Sequence, residues 1–210
     1  MKAIKKNISI FLIWLVHISG LLGMLFYDLD FFASFTSINL FLMSIILFLN
    51  IKIKSKYHVL SILLIFLIGM ITEILGVNYG LIFGDYEYGN NLGFKLFGVP
   101  FLIGVNWILL TAISANISAL ITKNKNIVLT VIIGALLMLA MDFVMEPIAP
   151  KLDLWKFNNL IVPTSNYIGW LIIGLFTQTI YNLQFRQKEI GVSLNLYLAF
   201  FLFFSFLNLT

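Results

Sequence analysis

Three carboxyl side chains interrupt stretches that are otherwise apolar. Glu73 follows Thr72 inside one such run. Asp142 and Glu146 form an Asp-x-x-x-Glu pattern inside another, immediately before Pro147. An ionised carboxylate in hydrocarbon is costly unless it is partnered, so an acid that persists there points to proton chemistry or to a substrate path. On a helix, a spacing of four puts Asp142 and Glu146 on one face, one turn apart. Two like charges so close in a low dielectric do not both ionise readily, which lets one carboxyl act as an acid while the other acts as a base near neutral pH. Plainer readings stand beside these. Glu73 also suits an interfacial residue that caps a neighbouring helix or pairs with Lys95, and the Asp142–Glu146 pair suits an acidic helix cap.

A second group lies in the segment Phe83-Gly84-Asp85-Tyr86-Glu87-Tyr88, which alternates aromatic or glycine with acid. Tyr86 and Tyr88 fit either an interfacial aromatic belt or ring faces that stabilise a cation. Asp85 and Glu87 fit solvated loop charges equally well. Trp155, Phe157, Tyr167 and Trp170 also stand where belt aromatics are expected. His17 and His58 belong to different levels of the membrane, so they and the acids do not make a metal site, and no metal is expected. His17 and Asn39 read as interhelical hydrogen-bonding residues. The chain has no cysteine, which excludes thiol nucleophiles, disulfides and cysteine-ligated metals. The glycine-rich segment lacks P-loop or dinucleotide-binding spacing, and no cofactor is expected.

The elements that must position these groups are membrane helices. Of 210 residues, 61% are hydrophobic and 10% charged, against about half and about a quarter in a soluble domain. The expected fold is all-α: a polytopic integral membrane protein with about seven transmembrane helices in one bundle, forming a single transmembrane domain over 1–210. The spans fall at roughly 8–27, 31–51, 58–77, 97–121, 126–147, 165–184 and 190–208. The N-terminal segment has the basic start and apolar core of a signal peptide. Its length suits a span, however, and no small-x-small cleavage site follows, so it reads as the first helix. Lys2, Lys5, Lys6, Lys52, Lys54, Lys56, Lys123, Lys125, Arg186 and Lys188 fall on one side of this arrangement. Lys95, Lys151 and Lys156 fall on the other. The more basic side is expected in the cytoplasm, and with it the N-terminus. The net charge of +4 then reflects orientation, and no nucleic-acid partner is expected. The carboxyl groups concentrate toward the outer half, under two loops at 78–96 and 148–164 that are expected to cover the mouth of the bundle.

Taken together, these motifs resemble the carotenoid biosynthesis membrane-protein family. The resemblance rests on Glu73, Gly76, Gly80, Phe83-Gly84-x-Tyr86-x-Tyr88, Lys95-Leu96-Phe97-Gly98-Val99-Pro100 and Trp107. In the second half it rests on Asp142-x-x-x-Glu146-Pro147, Lys151-Leu152-Asp153-x-Trp155, Pro163 and Asn166-Tyr167-x-Gly169-Trp170. It runs from about residue 60 to about residue 180, and no single motif is specific without the order and spacing of the rest. Phe157 and Val162-Pro163-Thr164-Ser165-Asn166 depart from the family pattern, which favours a second tryptophan and a more hydrophobic Val-Pro-Leu-x-Asn.

The resemblance implies a cofactor-independent hydro-lyase that adds water across the terminal double bond of an acyclic carotenoid end-group, giving a tertiary alcohol. It implies Glu73, Asp142 and Glu146 as catalytic residues. Asp85, Tyr86, Tyr88, Trp107, Trp155, Asn166 and Trp170 are implied as substrate-binding residues. The implied partners are a lipophilic carotenoid, the bilayer of the cell membrane and other carotenoid-pathway enzymes. The residue types suit that chemistry independently: an unactivated alkene needs a desolvated acid, and the cation so formed needs aromatic faces or a carboxylate, then a base for the attacking water. The alternatives are another carotenoid or isoprenoid membrane enzyme, such as an end-group cyclase, or a small membrane transporter. A prenyltransferase would need a second acidic motif to hold metal against a diphosphate, and none is present. A transporter would require polar groups on both sides of the midplane, whereas the acids lie on one.

Overall fold

The computed structural model describes residues 2–159, 161–186 and 188–209. Among the described residues there are eight helices: α1 (Lys2–Phe26), α2 (Leu29–Ala33), α3 (Thr36–Asn50), α4 (Lys56–Tyr79), α5 (Phe101–Ile121), α6 (Ile127–Met145), α7 (Thr164–Gln184) and α8 (Ile190–Leu207). Among the described residues, six apolar helical segments are long enough to cross a membrane, with α2 and α3 together supplying one of them. The protein is an all-α polytopic membrane protein.

Local chemistry explains most boundaries. Asn126 caps α6 by accepting from Leu129 N at 3.1 Å, and Glu189 caps α8 by accepting from Val192 N at 3.1 Å. Gly80, at φ +66°, ends α4 in the left-handed conformation that glycine adopts without strain. The span expected at 31–51 is broken at Ser34 and Phe35. There the Ser34 hydroxyl donates to Phe31 O at 2.6 Å and Thr36 to Ala33 O at 2.7 Å, so side chains satisfy carbonyls that the break would strand. The span expected from residue 97 starts instead at Phe101. Residues before it form a hairpin of β2 (Lys95–Leu96) and β3 (Val99–Pro100), whose turn holds Phe97 and Gly98 at positive φ.

Helix α5 is the centre of the bundle. It packs against α3, α4, α6, α7 and α8, and every residue from Ile103 to Ala119 except Val105 is buried. Gly104, Ala112, Ser114, Ala115 and Ser118 give it the small side chains that let helices approach closely. Helix α7 matches the other spans in length but is less apolar, because its polar residues face inward. Gln178 Nε2 donates to Thr111 O of α5 at 3.0 Å, and Asn182 Nδ2 to Gln178 O at 2.8 Å. Thus uncharged polar groups are buried deep in the bundle, away from the three acids.

The two long loops meet. Strands β1 (Tyr86–Tyr88) and β4 (Trp155–Phe157) pair antiparallel, with Tyr86 opposite Phe157 and Tyr88 opposite Trp155. Gly89 N donates to Leu154 O at 2.9 Å, Asn90 N to Asp153 Oδ2 at 2.8 Å, and Asn91 Nδ2 to Leu152 O at 2.9 Å. A Cβ on Gly89 would run into the Asp153 backbone carbonyl, which cannot rotate away. Gly89→Ala is therefore expected to lower stability by about 1–3 kcal/mol, read as a lower midpoint in thermal unfolding of the detergent-solubilised protein.

Candidate active site

The alternation of β1 puts Tyr86 and Tyr88 on its buried face and Glu87 on its exposed face. Outside, Glu87 pairs with Lys156 of β4 at 2.9 Å. Inside, both phenols point onto α4. Gly76 makes room for Tyr86: a Cβ there would stand 2.7 Å from the Tyr86 hydroxyl. One turn back along α4 lies Glu73. Its Oε2 accepts from the Tyr86 hydroxyl and from the Tyr88 hydroxyl at 2.6 Å. Its Oε1 accepts from Trp107 Nε1 of α5 at 2.9 Å. Glu73 is buried and wholly engaged as an acceptor. Lys95, one alternative partner for it, instead donates to Tyr88 O at 2.6 Å and secures the strand.

Asp142 and Glu146 share a face of α6 and its C-terminal cap, as their spacing predicts. The Asn166 amide of α7 bridges them, with Nδ2 2.9 Å from Asp142 Oδ2 and 2.9 Å from Glu146 Oε1. The indole of Trp155, delivered by β4, donates to Glu146 Oε2 at 3.0 Å. Asp142 Oδ1 is buried, and no N–H or O–H donor reaches it. One amide thus serves two carboxyl groups, and a proton shared between them is the remaining donor the geometry can accommodate.

The two halves face one small cavity of about 20 Å³, lined by Glu73, Asp142, Glu146, Tyr86, Tyr88 and Asn166 together with aromatic rings. That volume suits about one water molecule with several polar partners. Trp107 and Trp170 stack beside it with centroids 4.4 Å apart and planes 15° apart, and Phe83 packs against both. Burial, and then the facing Glu73 charge, raises the Tyr86 and Tyr88 hydroxyls above the ordinary tyrosine range, so both persist as donors. Among the described residues, no three His, Asp or Glu side chains form a group able to hold a metal ion.

Of the residues singled out in the sequence, Glu73, Tyr86, Tyr88, Trp107, Asp142, Glu146, Trp155, Asn166 and Trp170 come together here. Asp85 does not. It is exposed on the outer side of the loop, because the residue before inward-facing Tyr86 points the other way. His17 and Asn39 do not bond between helices as expected: His17 Nδ1 engages Ile13 O of its own helix at 2.7 Å, while His17 Nε2 and Asn39 Oδ1 have no partner. Phe83, Ile103, Asn106 and Phe157 also line the cavity and were not among the expected site residues. Asn106 carried a usable signal, since it is a polar side chain inside an apolar span. The apolar residues carried none.

The model of the carotenoid biosynthesis protein family matches residues 31–210. This chain belongs to that family. Over 121 residues it is 30% identical to bisanhydrobacterioruberin hydratase of Haloarcula japonica, an alignment covering 55% of this chain and 41% of the relative. The chain thus spans about two fifths of the length of that curated relative. No solved structure matches. All three acids of this carotenoid biosynthesis family member lie within the matched region.

The raised tyrosines give a spectroscopic prediction. A buried phenol with a raised pKa stays protonated through the range, about pH 9 to about pH 11, in which ordinary tyrosines ionise. Ultraviolet titration of Tyr86→Phe should therefore show the same tyrosinate amplitude as the unsubstituted protein over that range. A smaller amplitude in the variant would mean that Tyr86 ionises normally and is not held against Glu73.

Proposed function

We propose that this protein is a carotenoid biosynthesis enzyme that hydrates the terminal C=C of an acyclic carotenoid end-group without a cofactor. The observation that carries this reading is the Asp142–Glu146 pair: two buried carboxyl groups bridged by one amide, with an oxygen that lacks a donor, opening on a water-sized cavity walled by aromatic rings. In this reading the pair supplies a proton to the less substituted carbon of the double bond, whose π electrons form the new C–H bond. The charge left on the tertiary carbon faces the rings of Tyr88, Trp155 and Trp170 and the Glu73 carboxylate. A water molecule attacks that carbon through its oxygen. Its surplus proton passes to a carboxylate of the site, so the net change is addition of one water and the acid is restored. Glu73 already receives three donors, which favours acceptor and orienting roles for it and leaves the donor role to the pair.

The unit in which this happens is a single transmembrane domain in the cell membrane, its more basic end cytoplasmic, where a lipophilic substrate partitions. Expression in a strain that makes lycopene or γ-carotene, followed by mass analysis of the pigment, tests the reaction. The expected product is heavier by one water. A pigment of unchanged mass but altered absorption would favour an end-group cyclase, and an unaltered pigment would remove the hydratase reading. Glu73→Gln, Asp142→Asn and Glu146→Gln preserve shape and are each expected to reduce conversion by about a hundredfold or more. Full conversion by all three variants would defeat the mechanism.

A further inference from the structure

A second and larger cavity, about 230 Å³, adjoins the acid site. Its volume exceeds the ~150 Å³ of an apolar cavity known to take up benzene, and its wall is mainly apolar side chains of α1, α3, α5 and α8. Ile103, Asn106 and Trp155 line both cavities. Ile103 has no polar atom in its side chain, and Trp155 already donates its indole N–H to Glu146 Oε2 at 3.0 Å. Asn106 is the polar group at this boundary that is still uncommitted.

Asn106 is 9% exposed. Among the described residues, none is hydrogen-bonded to its side-chain amide, and neither amide atom is sealed off in the way that His17 Nε2 and Asn39 Oδ1 are. The surface it keeps lies where it lines the two cavities. Most other polar side chains around the small cavity are spent on the acids: Tyr86 and Tyr88 on Glu73, Trp155 and Asn166 on the pair. The Trp170 indole makes no such bond, but it can only donate and it lines the small cavity alone. A buried amide without partners is rare, and one that borders a water-sized space fits a water molecule. Water that attacks a carbocation points a lone pair at the carbon and gives its two O–H groups to acceptors. A carboxylate of the site is one acceptor and takes the surplus proton. Asn106 Oδ1 can be the other. Being neutral, the amide accepts that bond without competing for the proton of the acid, as a basic side chain in this place would.

We propose that Asn106 holds the nucleophilic water at the boundary between the two cavities, and so decides whether the cation formed there is captured as an alcohol or loses a proton again. The proposal rests on the hydratase reading of the acid site and adds a residue that acts after protonation. Without a held water, the carbon that received the proton gives one back and its C–H electrons restore the double bond, or a neighbouring methyl gives one up and the double bond shifts. In both cases the proton goes to a carboxylate of the site and no water is added. Loss of the Asn106 amide therefore separates the two halves of the reaction: proton exchange continues while hydration fails.

The test uses the purified protein in lipid nanodiscs, with lycopene in deuterated water and mass analysis of the pigment, which reads added water and deuterium taken up on carbon separately. Asn106→Val removes both hydrogen-bonding groups and is expected to lower the hydrated product by about tenfold or more, while the unhydrated pigment still takes up deuterium. Asn106→Thr has the outline of valine with a hydroxyl in place of one methyl. It is expected to recover part of the hydration, which separates water binding from a packing defect. Hydration by Asn106→Val at the unsubstituted rate overturns the proposal and leaves the hydratase reading standing. A joint loss of hydration and deuterium uptake does the same, since it would place Asn106 in the support of the acids, and so does an Asn106→Thr variant that hydrates no better than Asn106→Val. If the unsubstituted protein adds no water, the hydratase reading fails and the proposal fails with it.

Discussion

The interaction on which the rest depends is the supply of hydrogen-bond donors to carboxyl groups that have been taken out of water. A buried acid without donors costs several kcal/mol, and this protein buries three within one end of a helix bundle. No single helix can furnish the partners. Trp107 comes from α5, Asn166 from α7, Tyr86 and Tyr88 from one loop and Trp155 from the other. The need to bring these together sets the order of the helices around α5, the pairing of β1 with β4, and the glycine at 76 that lets a phenol pass over α4. Asp142 Oδ1 is the point at which the supply stops, and the reactive proton is assigned to the same place.

The acid site and the larger cavity divide the work between polar and apolar chemistry. The first has room for about one water and is nearly saturated with hydrogen bonds. The second, about 230 Å³, is walled mainly by apolar side chains of α1, α3, α5 and α8. Ile103, Asn106 and Trp155 form the boundary between them. In the proposed hydration, such a boundary would let a hydrocarbon end meet a single water without flooding, a condition that protonation of an alkene requires, because bulk water would take the proton first.

The sequence made some of this legible and not the rest, for physical reasons. The acids could be found because hydrocarbon penalises them wherever they occur, and the common face of Asp142 and Glu146 follows from helical geometry alone. The inward set of Tyr86 and Tyr88 was visible as an alternation, although the segment read as a loop and not as a strand. Its partner, Trp155 to Phe157, lies far along the chain in a stretch with no strand signal, and a three-residue ladder has too little pattern to announce itself. The bridging role of Asn166 depends on the rotation of α7 against α6, which no local spacing encodes. His17 and Asn39 were recognised as polar residues needing partners, but interhelical bonding is only the commonest way such a need is met.

The ribbon of β1 and β4 has one further meaning. Its ion pair, Glu87 with Lys156, is on the solvent side, where water and salt screen it. What fastens its inner side is the pair of phenol bonds to Glu73. The carboxylate assigned to the chemistry is therefore also the latch of the roof above it, and the strength of that latch follows the charge on one side chain. Any step that changes that charge also changes how firmly the mouth of the bundle is closed.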